Sequence, residues 1–111
     1  MKTIDRNQLK QKRNSIGDLT LINTLPEEKF EDYKIEGSIN IPQQSDDFVD
    51  RVTAAVMGNK NAEIVVYCAN SECDSSSTAA HKLEDAGFKN VFDYPGGAQD
   101  WNQSKQRAAS S

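Results

Sequence analysis

Both cysteines of the chain fall in one stretch, VVYCANSECDSSSTAAHKL (65–83), as Cys68 and Cys73. A cysteine that ends an apolar run is a candidate nucleophile, because strands of α/β sheets deliver their last residues to loops that meet helix N-termini. The N–H groups there carry partial positive charge, which favours thiolate over thiol and can cradle an anion attached to sulfur. Ala69, Asn70, Ser71, Ser75, Ser76 and Ser77 suit a tightly curled loop with its amides turned inward. Position alone leaves an equal alternative for Cys68, a small hydrophobe buried at a strand end. Cys73 is either a resolving thiol that closes a disulfide with Cys68 or a loop residue with no chemical part. Spacing does not set the Cα separation such a bridge needs. A zinc site from Cys68, Cys73 and His81 has only three ligands, and His81 reads more simply as a solvent-facing helix residue. Asp74 and the serine run are N-cap candidates before they are catalytic groups.

These residues need a strand before them and a helix after them, and the flanking patterns supply both. EIVVYC (63–68) is the strongest candidate for a buried central strand; LTLIN (19–23), SINIP (38–42) and NVFDY (90–94) are others. Helical character falls in DRNQLKQKR (5–13), PEEKFEDY (26–33) and DDFVDRVTAAVM (46–57). After the cysteine loop, Ala79, Ala80, Leu83 and Ala86 share one helical face, with Gly87 at the expected C-terminal cap. A last, short helix from about Ala98 carries Trp101, a core anchor, and Gly96 and Gly97 let the backbone turn beside the cysteine loop. Strands separated by helices predict a three-layer α/β/α sandwich with a mainly parallel sheet of about five strands. A single domain over residues 1–103 is expected, followed by a frayed tail, SKQRAASS (104–111).

Composition narrows the function classes. The chain has 111 residues, enough for one core without disulfide or metal support. A net charge of −4 argues against broad binding to nucleic acid or anionic lipid. The one basic cluster, KQKR (10–13), reads as the solvated end of a helix. No apolar stretch approaches the roughly 20 residues that span a bilayer, and the N-terminus lacks the apolar core of a signal peptide. A cytoplasmic monomer with reduced thiols is the resulting expectation.

The order of the motifs resembles the single-domain rhodanese-like sulfurtransferases along nearly the whole chain. VVYC (65–68), TAAHKLEDAGFKNV (78–91) and GGAQDW (96–101) are similar to that family's YC strand end, AA-x-x-L helix, GF-x-N-V and GG-x-x-x-W segments. EGSINIP (36–42) and LINTLPEEKF (21–30) stand where the family has its G-A-x-x-I-P and D-V-R-x-x-x-E-F segments. The resemblance implies sulfur transfer through a persulfide on Cys68, with Cys73 as a possible resolving thiol. Ala69, Asn70, Ser71, Glu72, Asp74 and Ser75 would line the anion site. The implied partners are a sulfane-sulfur donor and a thiol acceptor, with no metal or organic cofactor.

The departures bear on the donor. The family's loop carries an arginine facing the anion, and its alanine pair begins nine residues after the cysteine. Here Ala79 stands eleven residues after Cys68, and Glu72, Cys73 and Asp74 occupy the stretch where the cation is expected. Asn23 and Leu25 replace an acid and an arginine, and Lys34 stands near a common histidine. Added acids oppose an anionic donor such as thiosulfate. A related class of phosphatases needs an arginine six residues after the cysteine, and Asp74 stands there instead. The alternative function is a non-catalytic binding or redox-sensing module built on the thiol pair.

Overall fold

A computed structural model describes residues 2–15, 17, 19–70 and 74–110, with side chains through residue 103. The elements in chain order are β1 (Lys2–Thr3), α1 (Arg6–Ser15), β2 (Thr20–Asn23), α2 (Glu27–Phe30), β3 (Ile39–Asn40), α3 (Phe48–Ala55), β4 (Glu63–Tyr67), α4 (Ser75–Asp85), β5 (Asn90–Tyr94) and α5 (Gly97–Ser110). The strands form one sheet in the order β1-β5-β4-β2-β3, and every pairing is parallel.

The continuous apolar run in β4 belongs at the middle of such a sheet, where both faces are covered. Residues 64 to 67 are all buried, and alternation assigns them to two cores. Ile64 and Val66 face Ile22, Val91, Phe48 and Val52 of α3, and Ala79, Ala80 and Leu83 of α4. Val65 and Tyr67 face Leu21, Tyr94, Leu9 of α1, and Ala98 and Trp101 of α5. The expected three layers are therefore present, with α3 and α4 on one face and α1 and α5 on the other.

The stop of α4 follows the expected chemistry. Gly87 takes a positive φ of 98°, its N–H bonds Glu84 O at 3.0 Å, and the Phe88 N–H bonds Leu83 O at 3.1 Å. This closes the helix with a Schellman pair, and Phe88 and Leu83 share the core below it.

Three details differ from expectation. The edge strand β1 has two residues, too few for any periodicity to show, and β3 is also only two residues long. Short edges leave little unpaired backbone for another chain to join. The last helix is the longest, because residues 104–110 are largely good helix formers with no glycine or proline. The basic cluster is not simply solvated: Lys12 lies 3.8 Å from the Phe92 ring centre and 3.6 Å from Glu63 Oε2, and Arg13 donates to Glu36 O at 2.7 Å. Their long stems cover aromatic surface while their charges reach acceptors.

Tyr67, the residue before Cys68, ties β4 to the chain that follows α2. Its hydroxyl accepts from the Ile35 N–H at 2.8 Å and from Asn23 Nδ2 at 3.3 Å. Ser38 spends its only proton on Ile35 O at 2.7 Å, so Tyr67 is the donor in the 2.6 Å bond to Ser38 Oγ. Burial raises the phenol above its usual pKa against these hydrogen bonds and the Arg13 charge, so it stays neutral. Tyr67→Phe leaves the buried Ile35 N–H without an acceptor; a stability loss of about 2 kcal/mol in urea unfolding is expected.

Candidate functional site

Cys68 directly follows β4, at the carboxyl end of the central strand and on the face covered by α3 and α4. Two helix N-termini meet there. Beginning at Gly97, α5 turns its first amides onto the cysteine loop: Ala98 N–H donates to Cys68 O and Gln99 N–H to Ala69 O, both at 2.9 Å. From the other side comes α4, with Asp74 at its N-cap position. Its amides at Ser75, Ser76 and Ser77 have no carbonyl one turn earlier within the helix, so this end carries partial positive charge.

The close approach of α5 explains the glycine pair. Gly97 has φ +68°, and a Cβ built on it would stand 2.5 Å from Cys68 O and 2.8 Å from Ala69 C. A side chain at this position cannot coexist with the loop where it lies.

The sulfur itself is enclosed. Cys68 is 0 % exposed, with Sγ 3.7 Å from Ser76 Oγ and 3.9 Å from Asn70 O. These are acceptor contacts for an S–H donor. In the described part of the loop Asn70 turns its carbonyl toward the sulfur, while Cys68 and Ala69 turn theirs toward α5, which directs the Ala69 and Asn70 N–H groups, antiparallel across the trans peptides, away from α5. The physical reason is the α5 N-terminus, whose unpaired donors capture the nearest carbonyls.

Of the residues expected around an anion, Ala69 and Asn70 are partly buried beside Cys68, Ser75 opens α4, and Asp74 is exposed at its N-cap without a side-chain capping bond. Ser71, Glu72 and Cys73 lie outside the described residues. His81 is exposed, as expected, and no group of three metal-ligating side chains occurs among the described residues. No helix among them is long and apolar enough to cross a membrane.

Two further polar groups converge on this site. Ser76 is not a cap but a buried residue of the first turn of α4, 1 % exposed. Behind it lies Asp93 of β5, 5 % exposed, on the same face of the sheet because it is two residues from the core residue Val91. Burial pushes the Asp93 carboxyl above its ordinary pKa, eased by the Ser76 hydroxyl and the charge of His81. Its folded pKa exceeds its unfolded one, so its contribution to stability is complete at acid pH and is lost as pH rises through the folded value. The signal for Asp93 was an acid at an inward position of the alternation in NVFDY, read only as a strand.

On the opposite face, the Tyr94 hydroxyl bonds Asp100 Oδ2 at 2.5 Å, and Arg6 Nη1 lies 3.3 Å from Asp100 Oδ1. This network anchors α1 and α5 rather than reaching the sulfur.

The rhodanese-like domain profile matches residues 5–104. The solved rhodanese-like domain of an Anabaena sp. protein is 27% identical, covering 94% of this chain and 75% of that one with a TM-score of 0.77. A rhodanese from E. coli solved with anions is 28% identical over 74% of this chain and 89% of its own, at a TM-score of 0.62. A rhodanese-like domain protein from Staphylococcus aureus shares the fold at 24% identity and a TM-score of 0.73, with 91% of each chain covered. Comparison with curated protein sequences returns no significant match. With its all-parallel five-stranded sheet, its paired helical layers and this match over nearly its full length, the chain belongs to the rhodanese-like domain family.

Proposed function

We propose that this chain is a sulfurtransferase that carries sulfane sulfur as a persulfide on Cys68. The observation that carries the reading is the address of Cys68, at the carboxyl end of β4 where the N-termini of α4 and α5 meet. In the first step the Cys68 thiolate attacks the outer sulfur of a donor R–S–SH; the donor's S–S bond breaks and R–S⁻ leaves with the electron pair. In the second, an acceptor thiolate attacks the outer sulfur of Cys68–S–SH, and the Cys68 thiolate leaves. Cys73 would act as a resolving thiol by attacking the inner sulfur, forming the Cys68–Cys73 disulfide and expelling HS⁻.

Residues 69–77 contain two acids and no lysine or arginine, which favours a neutral or protein-borne persulfide over thiosulfate. Because Cys68 is fully buried, loading also requires a motion that uncovers Sγ. That burial favours a second reading, a binding or redox-sensing module in which the thiol pair reports oxidation. Intact mass separates the two. Reduced protein is incubated with thiosulfate, an inorganic polysulfide or an alkyl persulfide. One added sulfur from the persulfide, and far less from thiosulfate, is expected. No adduct from any donor would leave only the second reading.

A further inference from the structure

We infer that Asp100 is a positioning residue of Cys68: held between Tyr94 and Arg6, its carboxylate braces the α5 N-terminus that keeps the cysteine loop closed over the sulfur. The inference rests on the sulfurtransferase reading for its use, but not for its test. Each link is a direct contact. The Tyr94 hydroxyl donates to Asp100 Oδ2 at 2.5 Å, and Arg6 Nη1 donates to Asp100 Oδ1 at 3.3 Å. Just before Asp100 in α5, the Gln99 N–H bonds Ala69 O and the Ala98 N–H bonds Cys68 O, both at 2.9 Å. Asn70, the next residue of the loop, places its carbonyl 3.9 Å from Sγ.

Chain order puts the brace at this end of the molecule. β5 ends at Tyr94, and α1 begins at Arg6 soon after β1, so two parallel strands deliver both residues to the edge where Cys68 leaves β4. Asp100 enters from the first turn of α5, where a carboxylate also meets the positive end of the helix. Gly96 makes room for it: a Cβ there would stand 3.0 Å from both Cβ and Oδ2 of Asp100. The glycine pair thus serves two contacts, Gly96 admitting the brace and Gly97 admitting the loop. Burial, together with the neighbouring carboxylate, raises the Tyr94 phenol above its usual pKa, so it stays a neutral donor.

The two arms of the brace are unequal. Tyr94 is 1 % exposed, and a hydrogen bond to a charged acceptor in such a place is among the stronger kinds. The Arg6 and Asp100 side chains are 36 % and 40 % exposed, so water and salt screen their attraction. Tyr94 therefore carries most of the hold, and Arg6 orients the carboxylate. Ala98 and Trp101 also pack α5 on the core, but apolar contact is non-directional and does not fix where the first turn stands. The bond to Tyr94 does. Because Cys68 is 0 % exposed, a reagent meets it only when the loop lifts, and α5 sets how often residues 68 and 69 are free to do so.

Alkylation of Cys68 by iodoacetamide, counted by intact mass in a Cys73→Ser background, reads that opening without any sulfur chemistry. Tyr94→Phe removes one hydroxyl and is expected to speed alkylation about tenfold in the absence of urea, as loss of one hydrogen bond to a charged group implies. Asp100→Ala should act at least as strongly, and the double variant no more than Asp100→Ala, because both remove the same bond. A merely structural role would uncover Cys68 only through lost global stability. Gly87→Ala is the control: it weakens the end of α4, on the other face of the sheet from α5, and should leave the rate at the parent value. If Asp100→Ala does not fold, Tyr94→Phe carries the test. Equal rates in the parent and Tyr94→Phe, or an acceleration that Gly87→Ala matches, would overturn the inference. Faster alkylation without sulfur loading from any donor would keep the brace and reject the sulfurtransferase, whereas loading with unchanged alkylation would do the reverse.

Discussion

Cys68→Ser is expected to keep the fold and to lose sulfur uptake, with a fall on the order of 10³-fold or more in loading rate. The two parts of this expectation have different causes. Serine is slightly smaller than cysteine, and its hydroxyl would meet the same acceptors, Asn70 O and Ser76 Oγ, at a position that is fully enclosed. Stability should therefore change by no more than about 1 kcal/mol. Chemistry changes completely, because an alcohol is not ionised near neutrality and does not displace a thiolate from sulfur. Thermal melting and intact mass on the same sample read both quantities. Cys73→Ser serves as the control: it should load sulfur and retain it longer, since no resolving thiol remains. Sulfur on Cys68→Ser but not on Cys73→Ser would transfer the nucleophile's role to Cys73.

The parts of the fold that were legible in the sequence are those where one physical signal dominates. The run EIVVY could be placed at the sheet centre because a strand covered on both faces has no polar side to hide. The helix after the cysteine could be bounded because three alanines and a leucine mark its face and Gly87 its end. The cysteine loop was harder to read. Small polar residues imply a tight curl, but which way its peptides face depends on α5, whose N-terminus arrives from thirty residues downstream and takes the carbonyls of Cys68 and Ala69. Asp93 was invisible for a related reason. An acid inside a strand pattern says that something polar is buried, but the helix that covers it, α4 with its buried Ser76, is another element, and only the packing of α4 on β5 encloses it. The basic cluster misled because charge alone does not say whether a long side chain's stem lies on an aromatic ring.

Gly97→Ala is expected to be among the most destabilising single-atom additions in the chain, by about 3–5 kcal/mol. Two costs combine. An L-residue held at φ +68° is strained by roughly 1–2 kcal/mol. The larger cost is the contact: the added methyl falls 2.5, 2.8 and 2.9 Å from Cys68 O, Ala69 C and Ala69 O, all backbone atoms that no rotamer change can move. Either α5 retreats or the cysteine loop does, and both break the bonds from Ala98 and Gln99, each worth about 1 kcal/mol. Gly87→Ala isolates the first cost, since Gly87 also has a positive φ, 98°, yet a Cβ there would meet nothing within 4 Å. The difference between the two variants in urea unfolding thus measures how firmly α5 holds the loop, and equal losses would show that the contact relaxes freely. If α5 keeps Cys68 enclosed, Gly97→Ala should also speed iodoacetamide alkylation of Cys68 under conditions where the variant is folded, because the loop is no longer pinned against the helix. Stability and reactivity would then move in opposite directions at one residue, as a contact that both supports the fold and covers the nucleophile requires.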